Sequence, residues 1–167
     1  MTPVAMDMSA ALWFLPFVLP ISLWAAWSDM KFMKIPNQSV LALLLVFALV
    51  GLIALPFGDY LWRWTHALAI LAVGFIANMV RLVGAGDAKF AAAMAPFVAV
   101  GDLQLFLPLF AAILLGAFAA HRLLKHVPAY RAASADWLSW GRQDFPMGLA
   151  LSGTIAFYLL MVAGFGT

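Results

Sequence analysis

The fold is decided by residues 40–57, which read Val-Leu-Ala-Leu-Leu-Leu-Val-Phe-Ala-Leu-Val-Gly-Leu-Ile-Ala-Leu-Pro-Phe without a charged side chain. A helix that crosses the hydrocarbon core of a bilayer needs about 20 mainly apolar residues, so this stretch predicts a membrane-spanning helix. The whole chain is similar in character, since 66% of its 167 residues are hydrophobic and only 10% are charged. That composition excludes an ordinary soluble domain, which needs more polar surface to stay in solution.

Further apolar segments flank this stretch on both sides. They lie at about residues 10–27, 61–80, 88–100, 103–120 and 145–164. The sequence therefore predicts an all-α, polytopic membrane protein with six transmembrane helices, in which residues 1–167 form one membrane-embedded domain. The first segment is expected to be a retained helix, because residues 1–28 contain no Lys or Arg and so lack the basic region of a cleavable signal.

The basic residues indicate how these helices are oriented. Eight of the nine Lys and Arg residues lie in the connections after segments one, three and five, and Arg63 is the exception. Because cytoplasmic connections carry an excess of Lys and Arg, we expect these three connections in the cytoplasm and both termini outside. The net charge of +2 is thus explained by topology, and no nucleic-acid partner is predicted.

The acidic residues are all Asp, and two of them are expected at the same depth in the membrane. Asp29 follows the first segment and Asp87 begins the fourth, both on the predicted cytoplasmic side. Ionisable groups in spanning helices are costly and mark function. Two carboxyl groups that approach each other share a proton, so the ionised one can activate water while the protonated one donates to a scissile carbonyl. For either Asp taken singly, a helix cap or a pair with a nearby Lys is the alternative.

The other five aspartates are expected to lie outside such a site. Asp7, Asp59 and Asp102 fall on the outer side, and Asp136 and Asp144 fall in the basic connection before the last segment. Solvated surface is the expected role in that connection. We accordingly expect Asp102→Asn to leave catalysis nearly unchanged.

The residues around the two central aspartates favour the catalytic interpretation. Gly84 and Gly86 are expected to allow backbone conformations and close approaches that a Cβ would block. Asp87 then opens a helix, where backbone N–H groups and the helix dipole stabilise an anion. Residues Ile35, Pro36 and Asn37 predict a rigid start to the second helix. The residues alone predict two aspartates at one membrane face and no more.

Two motifs carry a family resemblance. Asp29 followed by Ile35-Pro36-Asn37, and the run Gly84-Ala85-Gly86-Asp87-Ala88-Lys89, resemble the signature motifs of bacterial type IV prepilin peptidases. These enzymes are GxGD intramembrane aspartic proteases. The chain is most similar to the small CpaA/TadV-type enzymes that process Flp pilins of tight-adherence pili. The likeness covers nearly the whole chain, including the Pro146-x-Gly148 opening of the last segment.

The resemblance implies a role for each matching residue. Asp29 and Asp87 would be the catalytic pair, and Gly84 and Gly86 would shape the loop before the second of them. Lys89 matches the Lys that follows GxGD in the family, whereas the next residue is Phe where Leu is usual.

The resemblance also implies an activity. It predicts an inner-membrane aspartic endopeptidase, without metal or cofactor, that cleaves a prepilin or pseudopilin where its basic leader meets its apolar helix. Lys31 and Lys34 are expected to contact an acidic group of the substrate or the headgroups of the lipid bilayer. Methylation of the new N-terminus is not expected, because the chain has no cysteine and lacks the cytosolic domain of larger relatives. The residues do not indicate an oligomeric state.

Two other classes of protein stay open. One is a small proton-coupled transporter, in which intramembrane Asp residues relay ions. The other is a non-enzymatic pilus assembly factor with the same fold. The clustering of acids at one face and the lack of an inverted repeat argue against a transporter, and the presence of both aspartates argues against an inactive factor.

Overall fold

A computed structural model describes residues 4–166, which form helices joined by short connections. The α-helices are α1 (Met8–Phe32), α2 (Asn37–Ala54), α3 (Phe57–Met79), α4 (Ala85–Met94), α5 (Leu103–Leu124), α6 (Pro128–Ala133) and α7 (Met147–Phe165). Short 3₁₀ helices cover Ala95–Phe97, Val100–Asp102 and Leu138–Trp140. The prediction of an all-α fold is confirmed.

The helices differ in whether they are long enough to cross a bilayer. Within the described residues, five helices are long and apolar enough, namely α1, α2, α3, α7 and α5 with the turn before it. The fourth predicted segment is different, because α4 has ten residues and is therefore about 15 Å long. Pro96 explains this length, since proline has no N–H to donate and its ring clashes with the preceding turn. Helix α4 is therefore too short to cross a bilayer by itself and is not one of the spanning helices.

Helix α1 lies at the centre of the bundle, and its most extensive partner is α7. These two helices run antiparallel, because the end of α1 meets the start of α7 at Asp29 and Gly148, while Met8 lies beside Gly166 at the other end. Helix α4 packs on α2, α3 and α7, and α5 packs on α7. Both of the motifs singled out above therefore lie at the end of the bundle where α7 begins.

An aromatic cluster fixes the middle of the bundle. Phe14 of α1, Phe47 of α2 and Phe97 beyond α4 are fully buried. The ring of Phe97 meets the other two edge-on, at centroid distances of 4.9 Å to Phe14 and 5.4 Å to Phe47. Such contacts add to the burial of each ring, so they set where the short α4 segment sits against α1 and α2.

Asp102 holds the opposite end of the bundle together. Its carboxylate accepts hydrogen bonds from the backbone N–H of Ala5 at 2.6 Å, from that of Met6 at 3.1 Å and from the hydroxyl of Tyr158 at 2.7 Å. Asp102 is buried and so is the nearby Arg63, whose guanidinium donates to carbonyl groups beside Pro96. Asp102 therefore has a structural role, because it joins the N-terminal segment to α7.

Two helices extend beyond the predicted apolar segments. Helix α1 continues past Asp29 to Phe32 and ends where Met33 adopts a left-handed conformation, with its N–H donating to the Asp29 carbonyl at 2.8 Å. Helix α5 continues to Leu124, so that His121 is buried and stacks on Trp140 at a centroid distance of 4.8 Å. The polar residues of these last turns are tolerated because each meets another part of the protein.

Candidate active site

Asp29 is held by the beginning of α7. Its side chain is 5% exposed, and its carboxylate accepts a hydrogen bond from the Gly148 N–H at 2.7 Å. Gly148 is in the first turn of α7, where backbone N–H groups have no partner within the helix and the helix dipole favours negative charge. The start of α7 therefore orients the Asp29 carboxyl group and offers it a donor.

Gly148 is required by this close approach. A Cβ at position 148 would lie 2.9 Å from both Cβ and Oδ2 of Asp29, and 3.0 Å from Cδ1 of Ile35. Real side chains do not approach so closely, so any larger residue would push α7 away from α1. The close approach of Asp29 and Ile35 therefore explains why the Pro146-x-Gly148 sequence has a glycine at this position.

Asp87 lies in the first turn of α4 and is half-buried. Burial and, to a lesser extent, the charge of the nearby Asp29 raise the pKa of Asp87 to about 6, against an opposing hydrogen bond with the Gly84 backbone. A carboxyl group with this pKa holds its proton over a wider range of pH than an exposed Asp does. Asp87 is therefore suited to carry a proton beside Asp29.

The two glycines before Asp87 have different roles. None of the glycines in the described residues has a positive φ, and Gly84 itself has φ −65° and ψ 144°. The expectation that these glycines supply unusual backbone conformations is therefore wrong. A Cβ on Gly84 would lie 2.6 Å from Oδ2 of Asp87, whereas a Cβ on Gly86 would make an ordinary 3.7 Å contact with Ile35. Close approach is the reason for a glycine at position 84 only.

This difference gives a matched pair of substitutions. We expect Gly84→Ala to reduce substrate cleavage by roughly 100-fold, because the Asp87 side chain must move and a misplacement of about 1 Å can cost that much. Gly86→Ala should retain most of the cleavage rate. Both variants are assayed at equal amounts of membrane-inserted protein, and equal losses in the two would contradict the proposed role of Gly84.

Two open cavities share Asp29 and Asp87. The first has a volume of about 380 Å³, and its other lining residues include Lys34, Ile35, Asn37 and Lys89. The second has a volume of about 460 Å³, and its other lining residues include Leu82, Arg142, Asp144, Phe145 and Met147. The structure thus brings the two predicted aspartates to one site, with a cavity on each side of them.

The Ile35-Pro36-Asn37 motif connects the two halves of this site. Pro36, with φ −63°, immediately precedes α2, so the helix begins within the motif. The Ile35 side chain lies between Gly86 of α4 and Gly148 of α7, while Asn37 lines the first cavity. The motif therefore sets the distance between α4, which carries Asp87, and α7, which orients Asp29.

The two lysines expected to contact substrate or lipid occupy different places. Lys34 lines the first cavity together with Lys89. The Nζ atom of Lys31 instead lies 2.7 Å from Oδ2 of Asp136, and the same hydrogen bond lowers the pKa of that exposed carboxyl group. Lys31 thus ties the end of α1 to the connection between α5 and α7.

Comparison with known proteins gives one match. Residues 16–121 match the model of the type IV leader peptidase family. This chain belongs to that family. The matched region contains both aspartates and both motifs. Membership implies that the protein is a membrane-bound peptidase of the class that removes prepilin leader peptides. Searches of curated proteins and of solved structures found no match to the chain.

Some residues around Asp29 and Asp87 were not predicted from the sequence as part of a site. Gly148, Arg142, Asp144 and Phe145 contact or line the site, and all lie beyond the matched region. Gly148 could have been predicted from the Pro146-x-Gly148 opening of the last segment. No local pattern predicts Arg142, Asp144 or Phe145, because their connection folds back over the site through contacts with distant residues.

Proposed function

We propose that this peptidase is an intramembrane aspartic endopeptidase in which Asp29 and Asp87 are the catalytic pair. The observation that carries the proposal is that both carboxyl groups line the same two cavities at one end of the bundle. The substrate class is a Flp-like (type IVb) prepilin, cut at the cytoplasmic membrane face of the bacterial inner membrane. The similarity of the motifs to those of the CpaA/TadV-type enzymes supports this choice of substrate.

The surroundings of the two carboxyl groups support different roles for them. Asp29 accepts the Gly148 N–H and is the base that takes a proton from water. Asp87, whose pKa is raised, holds the shared proton and donates it to the oxygen of the scissile carbonyl. The water oxygen bonds to the carbonyl carbon and a tetrahedral diol forms. The C–N bond then breaks as the leaving amine takes up the proton held by Asp29, and Asp87 takes back a proton from the diol as the new carboxyl group forms.

The two cavities suit an extended peptide that crosses the pair. Lys34 and Lys89 lie on one side, where they favour an acidic group of the substrate. On the other side, Leu82, Phe145 and Met147 favour apolar side chains, and Arg142 and Asp144 offer charged groups beside them. For Lys31, which is paired with Asp136, we propose contact with lipid headgroups at the membrane surface.

The raised pKa of Asp87 predicts how activity depends on pH. Below a pH of about 6 Asp87 keeps its proton, and above it the pair loses the proton that the mechanism needs. We expect kcat/KM, which reports the free enzyme, to fall as pH rises through this value, by up to about tenfold per pH unit. The measurement is cleavage of a prepilin by reconstituted enzyme across this range. A profile that is flat or rises above a pH of about 6 would contradict the role given to Asp87.

The proposed membrane orientation is tested separately. We expect a reporter fused at residue 130, between α5 and α7, to be cytoplasmic, because residues 122–142 hold four of the nine basic residues. A fusion at residue 56, between α2 and α3, should be periplasmic. Activity of a periplasmic reporter at residue 130 would reverse the orientation and move the site to the outer face.

The proposed substrate is tested by co-expression. The peptidase is expressed with a Flp-type prepilin or with a longer type IVa prepilin, and the intact mass of each pilin is measured. We expect the leader to be lost from the Flp-type protein. Processing of the type IVa protein alone would exclude the Flp assignment, and processing of neither would exclude leader cleavage. If the protein were a non-enzymatic assembly factor, pili would form equally well with the unsubstituted chain and with its Asp87→Asn variant.

A further inference from the structure

Helix α5 stands away from α3 and α4 and leaves a groove in the side of the bundle. The main helix packing of α5 is with α7, and His121 is the one buried side chain among its residues Leu103–Leu124, all of which the structure describes. A cavity of about 410 Å³ separates α5 from α3 and α4. Its lining includes the apolar residues Ile70, Ala91, Ala95, Leu107 and Phe110 and one polar residue, His66 of α3.

One side of this groove is formed by α4, the helix that carries Asp87. Ala91 follows Asp87 by one turn of α4, and Ala95 follows by about two turns, directly after the end of the helix; both alanines line the groove. All three are partly exposed, while Ala92 and Ala93 on the other faces are buried. At 1.5 Å per residue, Ala91 and Ala95 lie about 6 Å and about 12 Å from Asp87 along the helix. The groove therefore begins about one helical turn beyond the active site, since its lining residues Ala91 and Leu151 each follow a residue of the second cavity, Asp87 and Met147, by four positions.

We propose that this groove binds the apolar helix of the prepilin, with the cytoplasmic end of that helix at Asp87. This inference rests on the proposed function, because it takes a substrate with one apolar helix that is cut at its end. The other faces of α4 pack on α2, α3 and α7, so the groove is the face of α4 open to the bilayer. Small side chains such as those of Ala91 and Ala95 let helix backbones approach closely in lipid.

The geometry sets the register of the bound helix. A substrate residue opposite Ala91 or Ala95 should lie roughly 4 to 8 residues beyond the scissile bond. The scissile bond itself lies within the turn of the substrate helix nearest Asp87, and this turn must unwind to expose the carbonyl group of the bond. The walls at Ile70 and Leu107 then contact the substrate helix from opposite sides.

Disulfide cross-linking tests this placement, because the natural chain contains no cysteine. Leu107→Cys, or Ile70→Cys on the facing wall, is combined with Asp87→Asn to retain the substrate. A single cysteine is placed in the prepilin at about the sixth residue beyond the scissile bond, a position that follows from the helical rise. Leu49→Cys on α2 is the matched control, since Leu49 is 59% exposed and Leu107 is 58% exposed. Processing by the chain without these substitutions is measured in parallel membranes.

We expect at least one wall position to give a prepilin adduct at least tenfold above that of Leu49→Cys. If the prepilin is processed but both wall positions give no more adduct than the control, the groove does not bind the substrate helix. An adduct between two copies of the peptidase would instead assign the groove to self-association. If the unsubstituted chain does not process the prepilin, the proposed function itself fails, and this inference falls with it.

Discussion

Asp29→Asn and Asp87→Asn should each reduce leader cleavage at least about 100-fold while the protein still inserts in the membrane. An amide can neither hold nor exchange the proton that the two carboxyl groups share. At position 29 the amide oxygen can still accept the Gly148 N–H, so the contact that orients the side chain is preserved. The measurement is the rate at which a prepilin is converted to mature pilin at equal enzyme levels.

Asp59→Asn is the control for this pair. Asp59 is exposed in the first turn of α3, at the end of the bundle far from the two cavities. Its substitution should leave the cleavage rate within about twofold, because surface substitutions away from special features have small effects. If either Asp29→Asn or Asp87→Asn retained cleavage similar to that of Asp59→Asn, the aspartic mechanism would be excluded.

Loss of the Asp102 carboxylate should destabilise the fold. Asp102→Ala should lower the free energy of unfolding by on the order of 3 kcal/mol, because hydrogen bonds to a charged group contribute about 1.5 to 3 kcal/mol each and buried donors would lose their partner. The donors left behind are the backbone N–H groups of Ala5 and Met6 and the Tyr158 hydroxyl. The measurement is unfolding by denaturant in detergent micelles.

Two further variants define the role of Asp102. Asp7→Ala, at an exposed Asp beside the same end of the bundle, should change stability by less than about 0.5 kcal/mol. Tyr158→Phe removes one of the three donors and should cost about 1 kcal/mol. A destabilisation by Asp102→Ala no greater than that of Asp7→Ala would show that this cluster does not hold the N-terminal segment.

The sequence predicts the helices and the two aspartates because both depend on local signals. Uninterrupted apolar runs such as residues 40–57 define spanning helices by length alone. Asp29 and Asp87 stand out because charged residues are rare in such a chain. Pro96 was visible within the fourth segment, but only the packing of Phe97 on Phe14 and Phe47 shows where the chain turns after α4.

The remaining parts of the site depend on contacts between distant residues. Gly84 and Gly86 are alike in sequence, and only the position of the Asp87 carboxyl group separates their roles. Asp102 was expected only to lie on the outer side of the membrane, but it is buried and accepts a hydrogen bond from a backbone N–H 96 residues earlier in the chain. Lys31 and Lys34 are also alike in sequence, and the ion pair with Asp136 distinguishes them. Charge and composition do not determine such pairings.

Cleavage by the purified peptidase tests most directly whether Asp29 and Asp87 together hydrolyse a peptide bond in a prepilin. The protein and a Flp-type prepilin are reconstituted in liposomes, and the products are identified by intact mass. We predict two fragments whose masses sum to that of the precursor plus one water, and neither fragment with Asp29→Asn or Asp87→Asn. A precursor left intact by the unsubstituted enzyme, or the same fragments from either variant, would contradict the account.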